Sequence, residues 1–324
     1  MTLNVAFIGA GSRATQAHYP LVTRLHKEGV VRLEAVCDLN TERLAAAGEK
    51  FGVERRFTDY RHMLAETDLD AVYVIMPPHH SLQIVLDCLN AGKHVMVEKP
   101  PASSSKNLEL MADAAERNKR VTAVGFQRRY SPIAQEIRRL VLERGPVTQC
   151  VGQFHKHLLG KSGPSEKMGG VSTLFEDVIH AVDFVRYMCG GEATEVHAFQ
   201  DTVFVDWRNI YNGLVRFSTG AVGYVSGNRA SGARILKFEV HGKGIYGEME
   251  MPRTEFVGRV WADNAKQPRV ITGQELIGAP EFDDDATLEV HRSFVKAIET
   301  GGETRTSFRE CVGTMRLVEA LEGN

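Results

Sequence analysis

Cysteine is scarce in this chain, and the cysteines it has form no pattern. The five thiols, Cys37, Cys88, Cys150, Cys189 and Cys311, are odd in number and widely spaced, with no Cys-x-x-Cys among them. This excludes the common zinc and dithiol motifs and leaves buried thiols as the reading. Twelve histidines are present, but no His-Glu-x-x-His occurs, and adjacent His79 and His80 project in different directions from helix or strand, so no metal site is expected. Long apolar runs are missing too: none approaches the ~20 residues of a bilayer span, and no basic segment with an apolar signal core opens the chain. An excess of one charge is also lacking. With 39 Lys and Arg against 41 Asp and Glu, the net charge of −2 gives no reason to expect a nucleic-acid or membrane partner. A cytoplasmic protein is the expectation, without internal repeats or low-complexity segments.

What is present begins with alternation. At 324 residues the chain is long for one core, so two domains are expected, over 1–124 and 125–324. Up to residue 124, apolar strand-like runs alternate with helical patterns, which argues for a parallel sheet of βαβ units. The expected strands are Asn4 to Ile8, Val31 to Cys37, Asp70 to Ile75, His94 to Val97 and Val121 to Val124. The expected helices run to about Lys27, then over Thr41 to Phe51, Tyr60 to Ala65, Ser81 to Asn90, and Ser104 to Asn118 with Ser103 as N-cap. Beyond Gly125 the texture changes to a helix over Pro132 to Glu143, a strand over Val147 to Leu158 and a glycine-rich loop. A long helix, several β-rich runs joined by short turns, and two closing helices follow. Hairpin turns at Ser218-Thr-Gly220 and Gly242-Lys-Gly244 imply a largely antiparallel sheet.

Three segments carry chemistry. The first strand runs into Gly9-Ala-Gly11-Ser12-Arg13-Ala14. Gly9 permits the tight turn, Gly11 lets main chain approach a pyrophosphate, and small Ala14 lets the helix pack close, its N–H groups aimed at phosphates. The second strand ends on Asp38, placed to accept hydrogen bonds from an adenosine ribose and to repel a 2′-phosphate, which favours NAD over NADP. At the end of the His94 to Val97 run stand Glu98 and Lys99, stopped by Pro100 and Pro101 at the carboxyl edge of the sheet, where open α/β sheets bind ligands. In the second half, the helix after Gly169-Gly170 places Glu176, His180 and Asp183 on one stripe at 3.6 residues per turn, with Asp177 at its flank. That face is either a solvated side of an amphipathic helix or part of a site.

In this order the motifs resemble the glucose-fructose oxidoreductase/inositol dehydrogenase/MocA (Gfo/Idh/MocA) family of nicotinamide-dependent oxidoreductases. Met76-Pro77-Pro78, Gly125-Phe-Gln-Arg-Arg-Tyr130-Ser-Pro132 and the His180 helix fall in the same sequence as in that family. The resemblance implies an N-terminal Rossmann domain with a doubly wound parallel sheet, then an α/β domain whose open, largely antiparallel sheet pairs subunits in a homodimer or homotetramer. It implies NAD as cofactor, with NADP the alternative, contacted by Gly9, Gly11, Ser12, Arg13, Ala14, Asp38, Met76, Pro77, His79, Glu98, Lys99 and Gln127. His79 enters because Ser81 stands where the family often has histidine.

The implied substrate contacts are Lys99, Arg128, His155, Glu176, Asp177 and His180, on a sugar, inositol or related polyol. Hydride removal from a secondary alcohol leaves a hydroxyl that must lose its proton, so His180 is the expected base and Lys99 the cation beside the developing alkoxide. The family's usual aspartate four residues before the histidine is Glu176 here, with Asp177 beside it, and either is the expected orienting acid. Lys156, Arg128 and Arg234 would suit a substrate bearing a carboxylate or phosphate. Two further readings stand beside the dehydrogenase: reduction of a C=N or C=C bond in a non-sugar substrate, and a regulatory protein that senses NAD(P) without turning it over.

Overall fold

The computed structural model describes residues 2–161, 163–164, 168–251, 257–278 and 286–323. It divides into two units, Met1–Phe126 with Thr287–Val312, and Gln127–Ala286 with Gly313–Asn324. A single cut after residue 124 therefore misses a return of the chain to the first unit. The returning segment caps a sheet edge: Val124 N–H donates to Thr306 O at 2.8 Å, Phe308 N–H to Thr122 Oγ1 at 3.0 Å, and Thr304 Oγ1 to Thr122 O at 2.6 Å. Without it the last strand would expose unpaired main-chain groups.

The first unit is a six-stranded parallel sheet, β1 (Leu3–Ile8), β2 (Val31–Cys37), β3 (Arg55–Phe57), β4 (Ala71–Val74), β5 (His94–Val97) and β6 (Thr122–Val124), in the order β3-β2-β1-β4-β5-β6. This is the doubly wound order, in which the connections reverse direction between β1 and β4 and open a crevice at their carboxyl ends. The buried strands β1, β4 and β5 read as near-continuous apolar runs, as strands covered on both faces must. The edge strand β3, Arg-Arg-Phe, lacks that signature.

The helices are α1 (Tyr19–Lys27), α2 (Thr41–Phe51), α3 (Tyr60–Glu66), α4 (Pro78–Asn90) and α5 (Ser105–Arg117). The cap of α5 is Ser104, whose oxygen accepts from Asn107 N–H; Ser103 instead accepts from the Asn107 side chain. A π-helical turn over Ala14–His18 precedes α1.

In the second unit, eight strands follow the order β14-β13-β12-β11-β7-β10-β9-β8, where β7 is Gln149–His157, β8 Ala193–Asp201, β9 Ile210–Phe217, β10 Val222–Asn228, β11 Ala230–Gly242, β12 Ile245–Glu250, β13 Val257–Ala262 and β14 Arg269–Thr272. The β7–β10 pair is parallel and its neighbours are antiparallel. The sequence predicts a strand over Thr254 to Trp261; β13 covers its part from Val257 on, and residues 254–256 lie outside the described residues.

Helices α6 (Pro132–Leu142) and α7 (Ile179–Cys189) pack on one face of this sheet, over glycines that hold the space for them. A Cβ on Gly152 or Gly223 would lie 2.6 Å from Val185 of α7, and one on Gly258 or Gly247 would lie 2.5 Å from Ile133 or Ile137 of α6. Helices α8 (Gly273–Ile277), α9 (Thr287–Thr300) and α10 (Phe308–Glu322) complete the chain.

Candidate active site

The dinucleotide turn is fixed by sterics at one glycine and by open space at the other. Gly9 has φ +109°, and a Cβ there would sit 2.2 Å from the Ile75 carbonyl oxygen, so no larger residue fits where β1 and β4 part. A Cβ on Gly11 would meet nothing within 4 Å, which leaves that side of the turn open to a ligand. Ser12 is exposed and Ala14 buried at the start of the π turn. At the end of β2, Asp38 Oδ2 accepts from the Ala10 N–H at 2.7 Å and Oδ1 from the Asn40 N–H at 2.8 Å. The carboxylate is thus tied to the glycine turn and keeps lone pairs for a further donor. Met76 and Pro77 follow β4, and His79 and His80 are exposed on the first turn of α4 with ring centroids 3.8 Å apart. Ser81 is buried, donating to Pro78 O at 2.8 Å and Pro101 O at 3.1 Å, so it ties α4 to the segment after Lys99.

Glu98 gathers hydrogen bonds from two segments of the first unit. It is 6 % exposed, and its Oε1 accepts from Arg13 Nε and Nη2 at 2.9 and 2.6 Å and contacts His18 Nε2 at 2.9 Å. Its Oε2 accepts from the Lys99 main-chain N–H at 2.8 Å. The carboxylate joins the helix after the glycine turn to the strand end that carries Lys99. Burial alone would raise the Glu98 pKa, but the His18 hydrogen bond and the charges of Arg13, His18 and Lys99 outweigh it and hold the pKa far below the usual carboxylate range.

Arg13, expected among the cofactor contacts, pairs with Glu98 and stays 49 % exposed. Behind it, His18 Nδ1 lies 3.1 Å from Nε2 of the fully buried His291 on α9, whose pKa is driven well below the usual imidazole value by burial and then by the neighbouring His18 charge. Lys99 is half-buried, and its peptide bond to Pro100 is cis.

In the second unit a π turn over Leu174–Val178 leads into α7, and the expected single polar stripe divides. Asp183 is 1 % exposed and forms a bidentate pair with the fully buried Arg129, at 2.9 and 2.6 Å, with Thr314 Oγ1 donating to the same carboxylate at 2.8 Å. It is a core ion pair rather than part of a ligand-facing stripe. Asp177 Oδ2 takes Lys156 Nζ at 2.6 Å and Arg229 Nη1 at 2.9 Å, and Arg229, fully buried, also donates from Nη2 to Phe154 O at 2.7 Å. Glu176 is half-buried on the same turn, and His180 is 6 % exposed with its ring 6.4 Å from that of Phe154.

The structure thus brings Asp177, His180, Phe154, Lys156 and Arg229 together. His155 is not part of this group: successive residues of β7 face opposite sides, and its Nδ1 accepts from the Asn228 N–H at 3.1 Å. Gln127 and Arg128 are buried in a 3₁₀ turn over Gln127–Tyr130, and Gln127 Oε1 has no hydrogen-bond partner among the described residues. No cluster of His, Cys, Asp and Glu able to hold a metal occurs among the described residues.

Sequence reasoning did not single out His18, His291 or Arg229. Each is a polar residue at a buried position of an apolar pattern, which was a usable signal for Arg229 between two strands and a weak one for the histidines.

A doubly wound sheet with a glycine turn, an acid at the end of β2 and a lysine at the end of β5 defines a nicotinamide-dinucleotide-dependent oxidoreductase. The chain belongs to the Gfo/Idh/MocA family: residues 3–126 match its NAD-binding Rossmann-fold oxidoreductase model, and residues 135–245 match its C-terminal domain model. It is 25 % identical over 292 residues to a myo-inositol 2-dehydrogenase of Thermotoga maritima, covering 83 % of this chain and 81 % of that protein. It is 24 % identical over 328 residues to a levoglucosan dehydrogenase of Pseudarthrobacter phenanthrenivorans, covering 86 % and 83 %. A solved levoglucosan dehydrogenase in complex with NADH and levoglucosan shares the fold, with TM-score 0.87 at 24 % identity over 99 % of this chain and 96 % of that one.

Proposed function

We propose that the protein transfers a hydride between NAD(H) and a hydroxyl or carbonyl carbon of a sugar, inositol or related polyol. The observation that carries this reading is Lys99, placed at the carboxyl end of β5 in the same unit as the dinucleotide turn by a carboxylate that also grips the helix after that turn. NAD, when bound, accepts the hydride from the alcohol carbon. The chain supplies orientation and proton handling. Lys99 carries the cation that stabilises the developing alkoxide, and His180 takes the hydroxyl proton. Glu176 or Asp177 is the acid that orients substrate hydroxyls, Asp177 while also holding Lys156 and Arg229.

Gly9, Gly11, Ser12 and Ala14 receive the pyrophosphate, Asp38 the adenosine ribose, and Met76, Pro77, His79 and Gln127 line the cofactor. The working form is a cytoplasmic homodimer or homotetramer acting on small molecules, with neither nucleic acid nor membrane as partner. The near-neutral charge gives no attraction to nucleic acid or an anionic membrane, and among the described residues no helix is long and apolar enough to cross a membrane.

The test is NADH formation at 340 nm across a panel of polyols and aldoses, for wild type, Lys99→Ala and His180→Ala, alongside NADH binding. Turnover of at least one polyol, lost by a factor of 10² or more in kcat in both variants with binding retained, is the expected result. Tight NADH binding with no turnover by wild type on any substrate would favour the sensor reading instead.

A further inference from the structure

The face of β7 that carries Phe154 is surrounded by cations. Lys156 Nζ and Arg229 Cζ each lie 4.9 Å from the Phe154 ring centroid, Arg234 Cζ lies 5.4 Å from it, and the His180 ring lies 6.4 Å away. The acids on the adjoining turn are Asp177 and Glu176. The terminal nitrogens of Arg229 are spent, Nη1 donating to Asp177 and Nη2 to the Phe154 carbonyl within a fully buried side chain.

The other two cations are not spent. Among the described residues Lys156 has Asp177 as its one ion-pair partner, at 2.6 Å, which leaves donors of its ammonium unused. Arg234 is exposed at the start of β11 and makes neither an ion pair nor a side-chain hydrogen bond among the described residues; its guanidinium rests on the Phe154 ring. A guanidinium resting on an aromatic face is held in place with its fork of donors free, the arrangement that suits a carboxylate or phosphate. Burial lowers the Lys156 pKa, and Arg229 and Arg234 add to this against the pull of Asp177, so a further anion beside it would be favoured.

A neutral polyol does not need this surplus, because hydroxyls are met by neutral donors and acceptors and by the faces of aromatic rings. We infer that the substrate is a polyol bearing an anionic group, a carboxylate or a phosphate, received by Arg234 and Lys156 while the reacting hydroxyl lies toward His180. The inference rests on the polyol dehydrogenase reading and narrows its substrate class. Arg234 is the specificity-determining residue in it.

The experiment compares matched compounds on the intact enzyme. Sorbitol, gluconate and glucose 6-phosphate, with myo-inositol, glucuronate and inositol 1-phosphate, are titrated into the enzyme–NADH complex by calorimetry and assayed for turnover with NAD. Either the carboxylates or the phosphates are expected to bind at least tenfold more tightly than their neutral counterparts, the preferred series identifying the anionic group. That ratio should fall toward one in Arg234→Gln, recover in part in Arg234→Lys, and shrink between 50 and 500 mM salt. Lys156→Gln should reduce the same ratio. Equal affinity for neutral and anionic members, or an anion preference that survives Arg234→Gln, would overturn the inference while leaving the dehydrogenase reading intact. If every compound fails both to bind and to turn over, the polyol reading itself falls and the inference with it, so the two failures are told apart.

Discussion

Replacing Glu98 by Gln removes one charge and keeps the shape, which makes it a sharp probe of the carboxylate's part in the first unit. In the wild type Oε1 faces three donors from Arg13 and His18, and Oε2 faces the Lys99 N–H. An amide has one acceptor oxygen and one donor nitrogen. Whichever way it is turned, its NH2 meets donors, leaving either the Lys99 N–H or the Arg13 and His18 groups without an acceptor.

Breaking a fully buried ion pair costs about 3–5 kcal/mol. Arg13 is 49 % exposed and regains water, so about 2–3 kcal/mol is expected here. The sign of the pH dependence follows from the depressed carboxyl pKa. A carboxylate held below its unfolded pKa of about 4.3 contributes fully above that pH and loses the contribution as pH falls toward the folded pKa. Urea midpoints for wild type and Glu98→Gln should therefore differ by a constant amount from pH 7 to 5 and converge below about pH 4. Equal midpoints at pH 7, or a gap unchanged at pH 3, would refute this account of Glu98.

Other outcomes follow from the same geometry. Asp38→Ser should lower kcat/KM for NAD about tenfold and raise it for NADP, measured by parallel titration of both cofactors, because the repulsion of a 2′-phosphate is removed while the Asn40 and Ala10 N–H groups become available to it. Gly9→Ala should abolish NADH binding and lower the melting temperature, since its Cβ would sit 2.2 Å from the Ile75 oxygen. Gly11→Ala, with open space around its Cβ, should fold like wild type yet bind NADH more weakly in a fluorescence titration.

The fold was legible where local chemistry and burial agree. Strands β1, β2, β4 and β5 announce themselves as apolar runs, and the turn at Gly9 and the acid at Asp38 follow from what a dinucleotide needs. What escaped was set by tertiary context. β3 is an edge strand with two arginines, and β12 is interrupted by Gly247, which is there to make room for Ile137 rather than to turn the chain. Thr287–Val312 reads as a generic helical ending, and its tertiary contacts, the bonds to Thr122 and Val124 and the His18–His291 pair among them, assign it to the first unit.

The same division runs through the site. Lys99 was found by its place at a strand end, whereas the partners of Glu98 were not, because His18 and Arg13 are 80 and 85 residues away in sequence. The helical wheel grouped Asp183 with His180, but Asp183 is taken up by the buried Arg129. A wheel encodes direction and is blind to which neighbour fills it.

Hydride transfer from the alcohol carbon is tested most directly by isotope transfer. The best substrate of the panel, deuterated at the carbon to be oxidised, is incubated with NAD and the enzyme, and the reduced cofactor is analysed by mass spectrometry. The account predicts NADH heavier by one mass unit, formed with wild type and reduced by a factor of 10² or more in rate with Lys99→Ala. NADH formed without deuterium, or formed equally fast by Lys99→Ala, would contradict it.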